Sequence, residues 1–143
     1  MSIQSILYEK GSQVISVEKD ADLERAAELM RDHRVGALPV TDGPNVVGMV
    51  TKREIIDGFA RYGGKLATLQ VSDLMQRNFP RITPQDSLRR ATVLMAHHHA
   101  SHIPVFSGDQ LVGVVSGADV ARHRLEDLEL ESNQLRDSYT TPH

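Results

Sequence analysis

The sequence predicts an α/β protein made of two pseudo-symmetric β-α-β-β-α repeats, followed by a C-terminal helical extension. Three observations lead to this fold class. The chain repeats itself at a spacing of 65 residues. Each copy has a helical apolar period, then two short apolar runs separated by a glycine turn. A long helical pattern then continues past the second copy, without Gly or Pro until Pro142.

The internal repeat aligns residues 17–56 with residues 82–121 without a gap, and twelve of the aligned pairs are identical. In the first copy the identical residues are Leu23, Arg25, Ala26, Leu29, Met30, His33, Pro39, Val40, Gly43, Val47, Gly48 and Val50. Self-similarity of this kind indicates duplication of one structural unit. We predict a first repeat over 1–62, a connector over 63–70, a second repeat over 71–124, and a helical extension and tail over 125–143.

Each copy begins with a short extended segment, VISV or RIT, and a polar turn. Acids in these turns, Asp20 and Asp22 in the first and Asp86 in the second, suit a helix N-terminus. The first helix of copy one has apolar residues at i, i+3, i+4 and i+7 from Leu23 to Met30.

Two strands and a second helix complete each copy. The strands are ALPV and VVGMV in the first copy, and HIPV and LVGVV in the second, with a tight turn at Gly43 or Gly108. The second helix starts after Thr51 or Ser116, either of which is a good N-cap. The segment VSDLM (71–75) is predicted to be a short helix leading into the second repeat. In the extension, Leu125, Leu128 and Leu135 share one helical face, which predicts packing on another chain or along the domain's flank, or else a solvated helix.

Composition excludes several function classes. The net charge of −3, from 16 basic and 19 acidic residues, gives no electrostatic footprint for nucleic acid or an anionic membrane. The chain has no cysteine, which excludes disulfides, zinc thiolate sites and thiol catalysis. The first residues, MSIQSILYEKGS, do not read as a signal peptide, and no run is long enough for a membrane helix. We expect a soluble cytoplasmic protein.

The second strand of each copy ends in a motif that is compatible with nucleotide binding. Thr51 and Glu54, and likewise Ser116 and Asp119, form the pattern [ST]-x-x-[DE] at a helix start, where free backbone N–H groups favour an anion. A carboxylate at that place can accept hydrogen bonds from the two hydroxyls of a ribose. The same pattern is a capping box, which needs no ligand. Lys52 and Arg53 oppose the helix dipole, so they indicate a nearby phosphate unless they are only solvated.

The histidine run His97–His99 is a candidate metal-binding motif by residue type. Consecutive helical residues point about 100° apart, however, so they do not chelate one ion readily. No catalytic signature, phosphate-binding loop or metal-ligand cluster is visible, so an enzyme is not expected. We predict no metal site and no catalytic cofactor.

The order of these motifs, SHIPV, GVVSGAD and the leader VSDLM within a duplicated unit, resembles a tandem CBS (cystathionine β-synthase) domain pair, or Bateman module, of the stand-alone bacterial or archaeal type. The resemblance implies a non-catalytic regulatory module that binds AMP, ADP, ATP, NAD(H) or S-adenosylmethionine in clefts between the two repeats. It also implies a homodimer and a regulated partner protein. A structural interaction module without nucleotide dependence is the alternative.

The resemblance also implies roles for individual residues. Asp119, and less strongly Glu54, would bind ribose, with Thr51, Ser116, Lys52 and Arg53 near ribose or phosphate. The basic groups before the inner strands would approach the phosphates, and these are His33, Arg34, His98, His99 and His102. Adenine would lie against Ala37, Leu38 and Pro39 and against Ile103 and Pro104. Ser16 occupies the family's frequent threonine position, where the second repeat has Arg81.

Overall fold

The computed structural model describes residues 2–11 and 13–140, with side chains described to residue 136. Residues 141–143 of the predicted tail lie outside the described residues. The chain divides into two compact units. The first-repeat unit is Gln13–Pro80, and the second-repeat unit combines Met1–Ser12 with Arg81–His143.

The first-repeat unit contains a three-stranded sheet in the order β1-β2-β3. Its elements are β1 (Val17–Glu18), α2 (Leu23–His33), β2 (Ala37–Asp42), β3 (Asn45–Thr51), α3 (Lys52–Tyr62), a 3-10 helix (Gly63–Thr68) and α4 (Val71–Leu74). β1 pairs in parallel with β2, and β2 pairs in antiparallel with β3. Leu38, Val40 and Val50 are fully buried between this sheet and the helices.

The second-repeat unit repeats this plan with a smaller sheet. Its elements are α1 (Ile3–Lys10), α5 (Leu88–His98), β4 (His102–Ser107), β5 (Gln110–Ser116) and α6 (Gly117–Thr140). β4 and β5 pair in antiparallel. The predicted RIT strand contributes only one parallel bridge, from Ile82 to Val105. The sheet therefore has two strands, where the first repeat has three.

The duplication extends to the backbone geometry. Gly43 and Gly108 turn the two hairpins with φ of 60° and 61°, in the left-handed region that glycine adopts without a Cβ clash. The strand register shifts at Val40/Thr41 in one hairpin and at the equivalent Val105/Phe106 in the other. This agreement confirms that the aligned segments are copies of one structural unit.

The helix caps confirm the predicted boundaries, with one correction. The Asp22 carboxylate accepts from the Arg25 backbone N–H at 2.8 Å and caps α2, as predicted. In the second copy Ser87, and not Asp86, caps α5 through Arg90 N–H. Asp86 instead accepts from the Thr83 N–H and closes the preceding turn.

The short helix α1 lies with the repeat that is distant from it in sequence, and the short helix α4 belongs to the first-repeat unit. α1, which the sequence analysis did not predict, buries Ile3 and Ile6 fully in the core that also contains Ile82, Ile103 and Val115. The segment 71–75 forms the predicted helix as α4, and its Val71 belongs to the core of the first-repeat unit. α1 therefore belongs to the second-repeat unit, and α4 belongs to the first-repeat unit.

The described part of the C-terminal extension, 125–140, forms the last two thirds of a single 24-residue helix, α6. Val120 and His123 are buried, and after His123 no side chain up to residue 136 is buried. Within the described ranges, no helix has the length and apolar character needed to cross a membrane.

Candidate functional site

The two [ST]-x-x-[DE] motifs lie at equivalent strand-to-helix junctions. β3 ends at Thr51 where α3 begins, and β5 ends at Ser116 where α6 begins. Each acid is buried, with Glu54 9% and Asp119 8% exposed. Because a helix start presents backbone N–H groups and the positive end of the dipole, both junctions favour a carboxylate or another anion.

Asp119 lies at the centre of a charged network. Its Oδ2 accepts from the Ser116 backbone N–H at 3.0 Å, while the Asp119 N–H donates to Ser116 Oγ at 3.0 Å, so the capping interaction is reciprocal. Lys10 Nζ donates to Oδ2 at 2.8 Å, and Arg122 Nη2 donates to Oδ1 at 3.3 Å. Burial raises the pKa of Asp119, but the Lys10 ammonium and the Ser116 hydrogen bonds outweigh it and leave that pKa below its ordinary value.

Lys10 is a site residue that the sequence analysis missed. It is the last residue of α1, and its Nζ donates both to Asp119 and to the Val114 carbonyl oxygen, the latter at 2.9 Å. No pattern predicts this contact, because 109 residues separate the two side chains. The helix itself did have a signal: the spacing of Ile3, Ile6 and Leu7 before Gly11 is typical of a short amphipathic helix with a glycine at its end.

Glu54 has a different environment from Asp119. Oε1 accepts from the Thr51 backbone N–H at 2.9 Å, and both carboxylate oxygens accept from the Thr51 hydroxyl at 3.1 Å. Gln76 Nε2, also missed by the sequence analysis, donates to Oε2 at 3.4 Å. No ion pair offsets the burial within the described residues, and desolvation raises the pKa of Glu54. In the capping box of α3, this carboxylate therefore accepts from both donor groups of Thr51.

Lys52 and Arg34 come together, but away from Glu54. Both line a pocket of about 580 Å³ between α2 and α3, which we name the α2–α3 groove. Its lining residues are Ala27, Met30, Arg31, Arg34, Lys52, Ile55 and Ile56. Residues two apart on a helix point about 200° apart, so Lys52 and the buried Glu54 lie on opposite faces of α3. Arg53 is exposed and donates its backbone N–H to Thr51 Oγ1 at 3.2 Å.

The predicted basic segments are helix C-termini. His33 and His98 end α2 and α5, and the residues that follow them, Arg34 and His99, have left-handed φ of 55° and 52°. This conformation ends a helix and releases the chain into the next strand. All four side chains are exposed.

The histidine run and His102 make local contacts. The His97 and His98 rings meet edge to face at 5.5 Å. His102 begins β4, where its Nδ1 lies 2.8 Å from Ser101 Oγ. Across the residues described, no three metal-binding side chains converge on one point.

The predicted adenine residues are part of the cores. Ala37, Leu38 and Pro39 are buried in β2, and Ile103 and Pro104 are buried in β4. Each proline directly precedes the residue at which a parallel neighbour begins to pair: β1 pairs at Val40 and Ile82 at Val105. Because proline lacks an N–H, this position suits it.

Ser16 directly precedes Val17 of β1, and Val17 pairs with Val40, the residue after Pro39. Ser16 is exposed in a pocket of about 420 Å³ lined also by Val17, Glu18, Asp20, Ala21, Arg25 and Leu29.

Comparison with known proteins identifies the family. The CBS domain model matches residues 11–61 and 71–126. The chain therefore belongs to the CBS domain family and contains a tandem pair, which confirms the resemblance derived from the repeat. It is 33% identical over 114 residues to CBS domain-containing protein YhcV of Bacillus subtilis, covering 80% of this chain and 81% of that protein.

Solved structures share the fold. The CBS-domain containing protein ATU1752 from Agrobacterium tumefaciens matches with a TM-score of 0.83 and 28% identity, over 87% of this chain and 99% of that one. The CBS domain pair of MJ0100, solved in complex with 5′-methylthioadenosine and S-adenosyl-L-methionine, matches with a TM-score of 0.79 at 20% identity, over 89% and 98% of the two chains. At this identity the second match shows the fold alone.

Proposed function

We propose that this CBS pair is a non-catalytic sensor that binds an adenosine-containing ligand, AMP, ADP, ATP or NAD(H), with the Asp119 carboxylate as the ribose acceptor. One observation carries the proposal: Asp119 is shielded from water, has a lowered pKa, and lies at a helix start beside an ammonium group. The ligands in the MJ0100 structure support an adenosine derivative as the ligand class.

The contacts of Asp119 suggest how a ribose would bind. Oδ1 accepts from the half-exposed Arg122 at 3.3 Å, whereas Oδ2 has two shorter contacts, so Oδ1 is the more readily available acceptor. Oδ2 keeps its Ser116 N–H bond, while the exposed part of Lys10 allows that side chain to move aside. The two ribose hydroxyls would then donate to the carboxylate. A displaced Lys10 ammonium, together with the N–H groups at the start of α6, would face any phosphate that the ligand carries.

The Glu54 junction is the weaker candidate in this proposal. Its carboxylate accepts from the Thr51 backbone N–H and from the Thr51 hydroxyl, whose single proton faces both oxygens, and burial raises its pKa, which disfavours the anion. The other predicted adenine and phosphate contacts stay part of the proposal. Leu38 and Ile103 are fully buried, so these strands would offer adenine chiefly backbone groups.

Thermal unfolding in the presence of millimolar AMP, ATP, NADH and S-adenosylmethionine tests the proposal. A ligand that binds only the native state raises the unfolding temperature, by an amount that grows with its concentration above Kd. We expect at least one of these ligands to do so, Asp119→Asn to abolish the shift, and Glu54→Gln to retain it. Each variant is compared with its own ligand-free midpoint. No shift with any ligand for the unaltered chain would refute nucleotide binding.

A structural interaction module without nucleotide dependence is the second candidate. The exposed leucines of α6 favour it, because they offer an apolar surface to a partner. Under this alternative, partner binding survives Asp119→Asn and does not respond to AMP or ATP. The sensor proposal requires that a regulated partner respond to the ligand. It includes a cytoplasmic setting and a homodimer.

A further inference from the structure

We infer that Lys10 sets the ligand specificity of the Asp119 site. Its ammonium group makes the site select adenosine ligands that carry a phosphate over uncharged or cationic ones. The inference rests on the proposed function, because it concerns which ligand can displace Lys10 from Asp119. It follows from the charge at this carboxylate, from the anchoring of α1, and from the extra turn of that helix.

The Lys10 ammonium occupies the carboxylate that a ribose would use. Nζ lies 2.8 Å from Asp119 Oδ2 and donates to the Val114 carbonyl oxygen at 2.9 Å. The Lys10 side chain is 39% exposed and that of Asp119 is 11% exposed, so the cation has room to turn toward solvent and the acid has little. A ribose that donates to Oδ2 therefore displaces the ammonium, and the loss of this charge-assisted hydrogen bond opposes binding.

The helix that carries Lys10 is anchored, so a displaced ammonium stays near the site. The apolar face of α1 is buried in the core of the second-repeat unit. Leu7 packs against Gly113 so closely that an added Cβ would lie 2.5 Å from a Leu7 methyl carbon. Next to Lys10, the Glu9 carboxylate contacts Nε2 of the buried His123. Lys10 can therefore leave Asp119 by rotation of its own side chain, without release of the helix.

The first repeat differs at this helix. Met75, at the end of α4, packs against Gly48 in the way that α1 packs against the strand of its own unit. α4 has 4 residues whereas α1 has 8, and Lys10 is the last of them. At the Glu54 junction the carboxylate accepts from the neutral Gln76 amide. The repeated fold therefore does not require a cation at this position, which favours a role in binding.

A phosphate on the ligand would offset the cost of displacing Lys10. It is attached to the same ribose as the hydroxyls that donate to Asp119, so the displaced ammonium can bind it. Arg122, whose Nη2 lies 3.3 Å from Oδ1, is half-exposed and would gain the same partner. Adenosine offers these cations no negative charge in return, and the sulfonium of S-adenosylmethionine would repel them. The unfavourable displacement then contributes to specificity together with the new ion pair.

Isothermal titration calorimetry with adenosine, AMP, ATP and S-adenosylmethionine tests the inference. On the wild-type chain the tighter of AMP and ATP should bind at least about tenfold more tightly than adenosine or S-adenosylmethionine. Lys10→Met keeps the length of the side chain and removes its charge. It should weaken the binding of the phosphorylated ligand and tighten that of adenosine, each by at least about threefold. Lys10→Gln is a second neutral variant and should behave in the same way.

These opposite shifts distinguish specificity from a structural role, because a damaged site would bind both ligands more weakly. Lys10→Arg keeps the charge and should keep the preference for phosphate. Lys65→Met removes an exposed lysine of the first-repeat unit and is the matched control, so it should leave every Kd unchanged.

The outcomes separate this inference from the proposed function. A wild-type chain that binds adenosine or S-adenosylmethionine as tightly as AMP and ATP would overturn the role of Lys10 and leave an adenosine-binding sensor intact. So would neutral variants that bind adenosine and the phosphorylated ligand equally weakly. A wild-type chain that binds neither AMP nor ATP would also overturn it, and the proposed function fails as well if NADH and S-adenosylmethionine do not bind either.

Discussion

The contrast between Asp119 and Glu54 gives a paired prediction about stability. The two acids occupy equivalent positions, yet burial raises the pKa of Glu54, while Lys10 and Ser116 lower that of Asp119 despite burial. We expect Asp119→Asn to destabilise the protein at pH 7 and Glu54→Gln to leave it nearly unchanged. Each substitution removes the charge and keeps one carbonyl oxygen for the capping hydrogen bond.

The expected change in the free energy of unfolding follows from the contacts that each substitution removes. Asp119→Asn removes an ion pair to Lys10 at 2.8 Å, and a hydrogen bond to a charged group contributes about 1.5–3 kcal/mol. Solvent screens part of this energy because the Lys10 side chain is 39% exposed. We therefore expect a loss of about 1–2 kcal/mol, which lowers the unfolding temperature by roughly 3–6 °C. Glu54→Gln should change the free energy of unfolding by less than about 0.5 kcal/mol, since no ion pair is lost.

The pH dependence has opposite signs for the two acids. A lowered native pKa means that ionised Asp119 stabilises the native state above the ordinary carboxyl range, and that this contribution is lost as the pH falls through the native pKa. A raised native pKa means that Glu54 stabilises the native state below that range, and that this contribution is lost as the pH rises through its native pKa. Between pH 7 and pH 4 the wild type should gain stability relative to Glu54→Gln, whereas the deficit of Asp119→Asn should shrink only as the pH falls below about 4, the ordinary range of an aspartate.

Differential scanning calorimetry of the three proteins without ligand, at pH 7, at pH 4 and at about pH 2.5, measures both effects. An equal loss of stability for the two substitutions at pH 7 would refute the reasoning. The same holds for a Glu54→Gln deficit that disappears on acidification, since both results would mean that the two carboxylates have equivalent environments.

Two further predictions use contacts in the cores. Gly48→Ala should lower the free energy of unfolding by about 1–3 kcal/mol, because the added Cβ would lie 2.5 Å from the Met75 sulfur and close to a backbone oxygen. Gly113→Ala should lower it by less than about 1 kcal/mol, because the added Cβ meets only the terminal methyl of Leu7. Equal costs in urea denaturation would contradict this. Leu38→Ala should lower the free energy of unfolding by about 2–5 kcal/mol, because that side chain is fully buried, and a loss below about 1 kcal/mol in the same assay would contradict it.

Local patterns predicted most of the fold. The hairpins, the glycine turns and the Asp22 cap depend on residues that lie within a few positions of one another, so the sequence contains their signals. The reduced second sheet did not follow from the pattern, since a single bridge at Ile82 and a paired strand have the same apolar signature.

The candidate site was predicted only in part, for a related reason. The equivalence of Thr51–Glu54 and Ser116–Asp119 follows from the repeat. The difference in their charge environments depends on Lys10, which reaches Asp119 from the opposite end of the chain. Likewise, Lys52 and Glu54 are only two positions apart in sequence but lie on opposite faces of α3. The sequence does not show what each face of that helix contacts.

The placement of α1 makes the second-repeat unit discontinuous in the chain. During synthesis from the N-terminus, α1 emerges first, yet its core partners Ile82, Ile103 and Val115 emerge about 80 to 110 residues later. The intervening segment, Gln13–Pro80, is continuous and can complete its own core first. The apolar face of α1 therefore stays uncovered until these core partners have been synthesised. A nascent chain truncated before β5 would lack Val115, so the core that covers Ile3 and Ile6 would be incomplete.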